Sequence, residues 1–555
     1  MMRSKIGTVF VLILLTACYI AAGSLGIQAH KDPGEMDTPA YLSAAWQIHE
    51  TGGVLGHIQN CLNGVYREAT QHPVYLLLLS PFASHDIHFF VRAKIVSFFI
   101  GLLFLAVLFW VVRSLFGSSC AFLTACLLLM SAMFINLSTL VACESLLVLF
   151  FILFWFFAAR GFEKGKYWLW AGFFSGAAFL TKSLAILILP VFLFLAIFLS
   201  RPRRRLFSNK YFWGFFAVFF LVSSPLLIRN AKVFGAPFYS DSSAVLWLDR
   251  WHDYYRADIK QNPPTLFSYL ETHSPGNILS TFFTGFFVRN PKMISDGLKP
   301  FPFWERPLDL EKLQGFYVRT AGWQWLWSGL IVFLALWGWW KKRKHPAAVI
   351  AAASLGFFLV FVAWYSKVFP GYPPTRLLYP IVILIVIFAS SAVSDLGKVK
   401  WAQAVAGIFA IIYLVSLAAN FDWRTLDLRR SYAFTNPFVA QLFWAGNHLR
   451  EGDTLMVGSV FTSYYFYFEE KLKGKIIAWP QAESLEELED FIRTRSVRYG
   501  ILDLPTVAYN LKVYQKYYDV GPHIGMNAVA EMPPPFFSVF KDPHRPRLYE
   551  IYEFR

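Results

Sequence analysis

Apolar segments of about 20 residues recur along the chain, and this recurrence constrains the fold more than any other feature of the sequence. A segment of that length crosses the hydrocarbon core of a bilayer when it forms an α-helix. Hydrophobic residues make up 56% of the 555 residues and aromatic residues 19%, which is too apolar for an ordinary soluble protein. The sequence therefore predicts a polytopic α-helical membrane protein.

The apolar segments predict about eleven membrane-spanning helices. The first, from about Ile6 to Ile27, is too long for the core of a signal peptide and is expected to remain in the protein as a span. A shorter apolar piece, Val74 to Phe82, is expected to lie at the membrane surface or to re-enter the membrane. The other predicted spans lie at 90–112, 117–136, 140–159, 167–182, 183–200, 211–230, 321–340, 347–366, 376–394 and 401–420.

Basic residues are concentrated at alternate connections between these spans, which makes the net charge of +16 a signal of topology and not of nucleic-acid binding. The positive-inside rule places these connections and the N-terminus in the cytoplasm. An odd number of spans then puts the loops at about 28–89 and 231–320, and the C-terminus, on the outer face of the cytoplasmic membrane. The basic residues include Arg113, Arg160, the runs 201–205 and 341–344, Lys398 and Lys400.

The chain divides into a membrane domain, residues 1–420, and an extracytoplasmic tail, residues 421–555, whose pattern predicts a soluble α/β domain. One helix is expected from Asn436 to near Gly452, and a capping box of Ser484 and Glu487 opens another that ends near Arg495. No glycine-rich phosphate loop follows a strand, so nucleotide binding is unsupported. Strands are predicted at Thr454 to Val457, Lys475 to Trp479, Tyr499 to Asp503 and Arg547 to Phe554.

The polar stretch after the first span holds the strongest candidate for a catalytic group. Residues 34–49 indicate a short helix that Asp37 can cap with its side chain, with Pro39 in the first turn. Tyr41, Ala45 and Ile48 share a face with Asp37, so the helix can lie on the membrane with a carboxylate at its tip. That carboxylate can deprotonate a sugar hydroxyl. On this segment alone, the alternative that Asp37 is only a helix cap stays open.

Three ionisable residues, Glu144, Lys182 and Arg376, lie at the outer ends of predicted spans. Ionisable groups at membrane depth are costly and usually functional, although each could instead extend towards the lipid headgroups. All three lie on the same side as Asp37. Further cations on that face are Arg92 with Lys94, and Arg229 beside Asn230.

A carboxylate that faces a ring of cations at the outer membrane surface suits the transfer of a sugar from a lipid phosphate. The phosphate can bind the Lys and Arg side chains while the carboxylate activates an acceptor hydroxyl. The cations also stabilise the departing phosphate. Attack from the face opposite the phosphate would invert the anomeric centre.

Metal-binding patterns in the sequence are weak. Five cysteines lie mostly in or beside apolar runs, and no disulfide framework or cysteine-based zinc site follows. A hard divalent cation, Mg²⁺ or Mn²⁺, held by Asp37 and Glu144 is more plausible than zinc, and Glu35 could replace either carboxylate. Histidines without firm ligand spacing lie at His30, His49, His57, His72, His85 and His88.

Several short motifs occur in an order and spacing that resemble one group of membrane enzymes. The motifs are Asp37-Thr-Pro-Ala-Tyr41 with Ala45 and Gly52, His72-Pro73, Arg92, Leu115-Phe116-Gly117, Glu144, the stretch from Ala171 to Lys182, Arg229-Asn230 and Phe234-Gly235-Ala236-Pro237. Over roughly residues 6–240 they resemble those of bacterial membrane glycosyltransferases with the C-type (GT-C) fold. The nearest groups are the dolichyl-phosphate-mannose protein mannosyltransferases and the lipid A aminoarabinose transferases.

This resemblance implies a polyprenyl-phosphate sugar donor, an acceptor on the outer face, Asp37 as the catalytic carboxylate and Glu144 as the second acidic residue. The chain has Glu144 where many relatives have Asp, and Thr38 after Asp37 where the protein mannosyltransferases usually have an Asp-Glu pair. The second departure argues against the protein-mannosylating branch. The expected substrate-binding residues are Tyr41, His72, Arg92, Lys182, Arg229 and Arg376, with Arg92, Lys182 and Arg376 at the phosphate.

The predicted function is an integral-membrane inverting glycosyltransferase that moves a sugar from a polyprenyl phosphate to an envelope lipid, polysaccharide or protein. A transporter or flippase for a lipid-linked sugar is one alternative, but it predicts inverted repeats or paired broken helices, and neither pattern is found. A non-catalytic envelope assembly protein is the other. Aromatic residues of the second outer loop are expected either to close over the sugar or to form an interfacial belt, and they are Trp247, Trp251, Tyr254 and Tyr255.

Overall fold

The protein is described by a computed structural model that is mostly helical. The residues it describes are 2–199, 209–255, 262–300, 321–369, 374–395, 399–420, 427–432, 438–458, 472–480, 482, 484–502, 518–520, 526–528, 536–540 and 551–554.

The membrane domain consists of helices, which are numbered here in chain order. The α-helices are α1 (Met2–Ala29), α2 (Thr38–Glu50), α3 (Gly53–Asn63), α4 (Pro73–Leu79), α5 (His88–Phe116), α6 (Ser118–Leu129), α7 (Ala132–Leu137), α8 (Glu144–Gly161), α9 (Tyr167–Phe179), α10 (Ile188–Leu199), α11 (Lys210–Phe234), α12 (Leu266–Thr272), α13 (Pro275–Thr284), α14 (Asn290–Gly297), α15 (Ala321–Lys342), α16 (Pro346–Tyr365), α17 (Tyr379–Ser394) and α18 (Val399–Asn420). Short 3₁₀ segments are Ser80–Phe82, Ser183–Leu187, Asp241–Trp247, Trp251–Tyr255, Ser366–Val368, Thr375–Leu378 and Leu428–Arg430. A short π-helix covers Gly285–Arg289.

Within the described residues, seven helices are long and apolar enough to cross a membrane, and they coincide with seven of the predicted spans. The segment predicted at 117–136 is instead broken into α6 and α7, and those at 167–182 and 183–200 form the shorter helices α9 and α10. The tryptophan-rich α15 has 22 residues and is not among the seven. The number of about eleven therefore stays a prediction. The seven candidate spans are Gly7–Ala29, His88–Phe116, Glu144–Gly161, Lys210–Phe234, Pro346–Val368, Thr375–Ser394 and Val399–Ala419.

Two spans lie deepest inside the helix bundle. In α8, about 78% of the most apolar stretch is buried inside the protein. In the segment Thr375–Ser394, which contains α17, the buried share is 83%. The indole of Trp155 on α8 donates a hydrogen bond to the carbonyl of Ala347 at the start of α16, at 2.8 Å. Both spans are therefore held by protein on most sides, and Glu144 and Arg376 lie at their N-terminal ends.

The loop after α1 contains the three short helices α2, α3 and α4. Helix α2 starts directly after Asp37, with Pro39 in its first turn, as the sequence predicts. The Asp37 side chain makes no capping hydrogen bond, so the interpretation of Asp37 as a side-chain cap is wrong. The face with Tyr41, Ala45 and Ile48 is buried within the protein and does not lie on the membrane surface.

The tail folds around a second hydrophobic core, and its α/β character is confirmed for the described residues. A five-stranded sheet has the order β2-β1-β3-β7-β6, in which β1 pairs in parallel with β2 and β3, and β7 runs antiparallel to β3 and β6. Strands β4 and β5 form a separate pair. The elements are α19 (Phe438–His448), α20 (Leu485–Thr494), β1 (Thr454–Val457), β2 (Lys475–Ala478), β3 (Tyr499–Ile501), β4 (Tyr518–Val520), β5 (Met526–Ala528), β6 (Phe536–Phe540) and β7 (Ile551–Phe554).

The predicted strands at β1, β2, β3 and β7 and both predicted helices are found, and Ser484 accepts the N3 hydrogen bond from Glu487 as expected. Strand β6 has no counterpart among the predicted strands. It directly follows a run of three prolines, Pro533 to Pro535, and a proline-rich flank is a poor signal for a strand. The residues 436–437 and 421–426 lie outside the described residues, and the domain boundary at 420 stays a prediction.

Close packing of α9 against α11 depends on glycine. A Cβ atom at Gly172 would overlap the carbonyl oxygen of Phe215 on α11, whereas one at Gly329 on α15 would meet nothing within 4 Å. We expect Gly172→Ala to lower the free energy of unfolding by about 1–3 kcal/mol, because the helices must move apart. Gly329→Ala should be neutral or stabilising by up to about 1 kcal/mol, since alanine favours helix over glycine. Melting temperatures of the purified variants in detergent measure both changes, and equal values for the two variants would contradict this account.

Candidate active site

Four charged side chains meet where α8 begins. Lys182 Nζ donates a hydrogen bond to Glu144 Oε1 at 2.6 Å. Arg376 Nη1 lies 2.7 Å from Asp37 Oδ2 and 3.6 Å from the same Glu144 oxygen. Two carboxylates and two cations therefore form one continuous, electrically balanced cluster.

The two carboxylates differ in their access to solvent. The side chain of Glu144 is 1% exposed and that of Asp37 is 38% exposed. Glu144 is enclosed by protein and contacts both cations, and its second oxygen, Oε2, is buried with no hydrogen-bond partner among the described residues. An acceptor molecule can therefore reach Asp37, while Glu144 is suited to holding Lys182 and Arg376 in place.

Local backbone structure brings these groups together from four parts of the chain. Glu144 is the first residue of α8, Asp37 directly precedes α2, and Arg376 lies on the 3₁₀ turn before α17. Lys182 follows the end of α9 in an extended conformation, with φ of −159° and ψ of 135°. The phenolic hydroxyl of Tyr41 donates to the sulfur of Cys143 at 3.0 Å and so ties α2 to the residue that precedes Glu144.

A cavity of about 620 Å³ opens beside the cluster. Beside it lies an apolar cavity of about 210 Å³, and Lys182 lines both. The predicted site residues that line the larger cavity are Asp37, Tyr41, His72, Lys182 and Arg376, whereas Glu144, Arg92 and Arg229 do not line it. Its lining residues are Met36, Asp37, Tyr41, Thr70, Gln71, His72, Cys143, Thr181, Lys182, Ser183, Trp251, Tyr365, Phe369, Pro374, Thr375, Arg376 and Leu377.

His72 contributes a neutral imidazole to the cavity wall. Its Nδ1 atom lies 2.6 Å from the carbonyl oxygen of Phe179, so Nδ1 carries the proton and donates it to that carbonyl. Burial lowers the pKa of His72 to about 4, with the nearby charges of Arg229 and Lys182 acting in the same direction. At neutral pH this side chain is therefore a hydrogen-bonding group and not a cation.

Arg92 and Arg229 do not line the cavity. The exposed Arg92 donates from Nε to the carbonyl of Phe82 at 3.1 Å and lies 3.6 Å from Asp86. Arg229 is buried, donates to the carbonyl of Glu68, and lies over the ring of Tyr66. Arg229 thus supports the loop that leads to Thr70, Gln71 and His72. The sequence placed both arginines on the correct loops or helix ends but could not give the direction of either side chain.

Several polar and aromatic residues of the cavity were not predicted from the sequence. Thr181 and Ser183 flank Lys182, and the sequence signal that could have found them was a pair of hydroxyls on both sides of a cation at membrane depth.

Of the predicted aromatic residues, Trp251 lines the cavity and stacks on Phe369 with ring centroids 5.0 Å apart. Trp247 instead packs against Tyr269 and Trp364, and Tyr254 stacks on Trp251, while the side chain of Tyr255 lies outside the described residues.

The donor set of the cluster fits a divalent cation poorly. No group of three or more His, Cys, Asp or Glu side chains within the described residues could hold a metal ion. Both Asp37 and Glu144 already contact a guanidinium or ammonium, which supplies the positive charge that a metal would bring. Glu35, the suggested substitute, pairs with His30 at 3.0 Å.

Comparison with known sequences supports the resemblance to the mannosyltransferase family. The sequence model of the family described as dolichyl-phosphate-mannose-protein mannosyltransferase matches residues 87–228. That stretch contains Glu144 and Lys182 but neither Asp37 nor Arg376. No curated protein matches the chain significantly in sequence. The predicted resemblance is thus confirmed over the matched stretch.

Solved structures show the same fold along nearly the whole chain. ArnT from Cupriavidus metallidurans in the apo state has a TM-score of 0.53 and 13% identity, and the match covers 98% of this chain and 97% of that one. The same protein bound to undecaprenyl phosphate has a TM-score of 0.50, 12% identity and the same coverage. The archaeal oligosaccharyltransferase AglB from Archaeoglobus fulgidus, in complex with an inhibitory peptide and a dolichol-phosphate, has a TM-score of 0.50, 12% identity, and covers 95% of this chain and 75% of its own. The chain therefore has the GT-C fold of these glycosyltransferases.

Acid should destabilise the protein through His72. An unfolded histidine binds a proton near pH 6.5, whereas folded His72 stays neutral down to about pH 4, so the unfolded state gains stability as the pH falls through that window. We expect the melting temperature to fall more between pH 7 and about pH 4.5 in the parent protein than in His72→Asn. His448 is exposed, so His448→Asn is the matched control. Its melting temperature should fall as much as that of the parent protein. Equal losses in all three proteins would show that His72 is protonated without cost.

Proposed function

We propose that the protein is an integral-membrane inverting glycosyltransferase, which moves a sugar from a polyprenyl phosphate to an acceptor on the outer face of the cytoplasmic membrane. One observation carries the proposal: Asp37, Lys182 and Arg376 line a single cavity, and Glu144 contacts both cations. The family match and the GT-C fold support it. Two structures with this fold hold a polyprenyl phosphate, undecaprenyl phosphate in ArnT and a dolichol-phosphate in AglB.

The two adjoining cavities suggest how the donor binds. The phosphate would lie between Lys182 and Arg376, because both cations reach the wall of the larger cavity. The first isoprene units would then occupy the apolar cavity, whose wall includes Leu184, Leu187 and Phe361. The sugar would remain in the larger cavity, where Trp251 offers an aromatic face. Lys182, which lines both spaces, would mark the junction between lipid and sugar.

Asp37 would act as the general base. An acceptor hydroxyl gives its proton to the Asp37 carboxylate while its oxygen forms a bond to the anomeric carbon. The bond between that carbon and the phosphate oxygen breaks, and its electron pair stays on the phosphate. Lys182 and Arg376 stabilise the charge that develops there. Asp37 then releases its proton to water, and attack opposite the phosphate gives inversion.

Arg376 would control when Asp37 becomes available. Without a donor, the guanidinium is shared between Asp37 and Glu144. A bound phosphate competes for the same guanidinium and weakens its hold on Asp37. Deprotonation of the acceptor would therefore depend on a bound donor. Glu144 would act as a positioning residue, because it is buried and contacts both cations.

The remaining predicted residues take supporting roles in this proposal. Tyr41 holds α2 against Cys143, and His72 contributes to the cavity wall a neutral imidazole whose only N–H is bound to the Phe179 carbonyl. Arg229 supports the loop before His72, and Arg92 would have no direct contact with the phosphate. The acceptor would be an envelope lipid, polysaccharide or protein, and the tail would lie outside the cytoplasm.

Loss of the Asp37 carboxylate should abolish transfer. We expect Asp37→Asn to lower product formation by about 10²–10⁴-fold, the usual contribution of a general base. Glu50→Gln, at the exposed far end of the same helix, is the matched control and should retain full activity. Mass spectrometry of envelope lipids and glycans from a deletion strain that carries each variant at matched expression gives the measurement. The product should lose one sugar mass in the deletion and regain it with the parent chain.

Full restoration of the product by Asp37→Asn would overturn the catalytic assignment. A deletion strain in which no glycan changes, but the lipid-linked sugar accumulates on one side of the membrane, would instead support a transporter. A deletion that disrupts envelope assembly with no missing sugar would favour the non-catalytic role.

Removal of divalent cations should leave the activity almost unchanged. We propose that Arg376 and Lys182 take the electrostatic role that Mg²⁺ or Mn²⁺ would have at Asp37 and Glu144, so EDTA should change the rate by less than about twofold. The measurement is sugar transfer in membranes washed with EDTA, with and without added Mg²⁺ or Mn²⁺. An EDTA-sensitive activity that either ion restores would reinstate the metal site suggested by the sequence.

A further inference from the structure

Lys94 is a buried cation that takes no part in the cluster around the cavity. It lies in the second turn of α5 and is 0% exposed. Its ammonium donates to the carbonyls of Ile27 at 2.9 Å, His30 at 2.7 Å and Ser431 at 2.5 Å. The three protons of the ammonium therefore each have a carbonyl acceptor.

These acceptors belong to two distant parts of the chain. Ile27 and His30 lie at the outer end of α1, just before the segment that carries Asp37. Ser431 lies on the segment 427–432, between the last membrane helix and the outer domain, and its hydroxyl also lies 3.1 Å from the ammonium. A buried ammonium is costly unless its hydrogen bonds are made. Movement of either segment would leave the Lys94 ammonium buried with an acceptor missing, so Lys94 favours the state in which both segments are in place.

The contact with His30 extends to Asp37 through short-range contacts. The imidazole of His30 pairs with the carboxylate of Glu35 at 3.0 Å, and the Thr38 N–H donates to the Glu35 carbonyl at 3.1 Å. Met36, between Glu35 and Asp37, has a φ of +53°, a left-handed conformation that a side chain rarely adopts without support. The segment from His30 to Asp37 is thus fixed at Lys94, at Glu35 and at the start of α2.

We propose that Lys94 is a positioning residue that holds Asp37 at the cavity and couples its position to the docking of the segment 427–432. The coupling is reciprocal, so movement of that segment, through which the outer domain is attached, alters the segment that carries Asp37. This inference rests on the proposed function for its effect on catalysis. Its effect on the two segments themselves does not depend on that function.

The test compares Lys94→Met with Lys31→Met in the full-length protein in lipid nanodiscs. Methionine keeps the length of the side chain but removes the donors, and Lys31 is an exposed cation next to His30. Hydrogen exchange should rise in residues 28–38 and 427–432 of Lys94→Met and in neither segment of Lys31→Met. Binding of undecaprenyl phosphate should change by less than about twofold, because Lys182 and Arg376 are untouched.

Product formation in the complemented deletion strain should fall at least about tenfold with Lys94→Met, per folded protein, and stay at the parent level with Lys31→Met. A purely structural role would instead lower the folded amount or the lipid binding without this selective loss. If Lys94→Met does not fold, Glu35→Gln loosens the first segment at a partly exposed site, and it should raise exchange in 28–38 and, because the coupling is reciprocal, to a smaller extent in 427–432.

The inference would be overturned if Lys94→Met leaves both the exchange in residues 28–38 and the amount of product at the parent level. If Lys94→Met does not fold, the same result with Glu35→Gln would overturn it. If the parent chain itself forms no product, the proposed function fails. The exchange data then decide alone whether Lys94 couples the two segments, and a rise confined to one segment in Lys94→Met would refute the coupling.

Discussion

The buried carboxylate of Glu144 is the constraint on which the arrangement of this site depends. A carboxylate that is 1% exposed at the N-terminal end of one of the two most enclosed spans needs cations and hydrogen-bond donors close by. Lys182 and Arg376 meet this requirement, and Arg376 then reaches Asp37. Four parts of the chain are thereby brought to one cavity before any substrate binds. In the proposed reaction, such preorganised charges would stabilise the charge that develops on the phosphate without having to reorganise.

The sequence located this site because charge is costly in a membrane. Glu144, Lys182 and Arg376 were identifiable as ionisable residues at the outer ends of spans, and the positive-inside rule gave them the same face as Asp37. Arg92 and Arg229 met the same criterion but are turned towards the carbonyls of Phe82 and Glu68. The difference lies in side-chain direction, which depends on the loops that pack beside each helix and leaves no mark in a linear pattern.

The fold was predictable where a single segment determines its own structure. Spans such as α5 and α16 are long apolar runs, and they were found at nearly the predicted residues. Helices α6 and α7 are shorter than a membrane span, and most of their residues are buried against neighbouring helices. Strand β6 depends on a partner, β7, that lies further along the chain. Elements of this kind are stabilised by contacts with distant segments and are not defined by local periodicity.

In the proposed reaction, charge balance explains why the general base would belong inside the cluster. The free site holds two carboxylates and two cations, and a donor phosphodiester adds one negative charge. When the sugar leaves in the proposed reaction, the phosphate would become a monoester and gain a second negative charge, while Asp37 would lose its charge by taking the acceptor's proton. The total charge at the cavity therefore stays constant during the reaction. A base outside the cluster would leave the additional charge of the phosphate uncompensated in a region of low dielectric constant, where that charge is most costly. In the proposed mechanism, the contact that joins Asp37 to Arg376 is thus the feature that would allow proton transfer and phosphate departure to compensate each other.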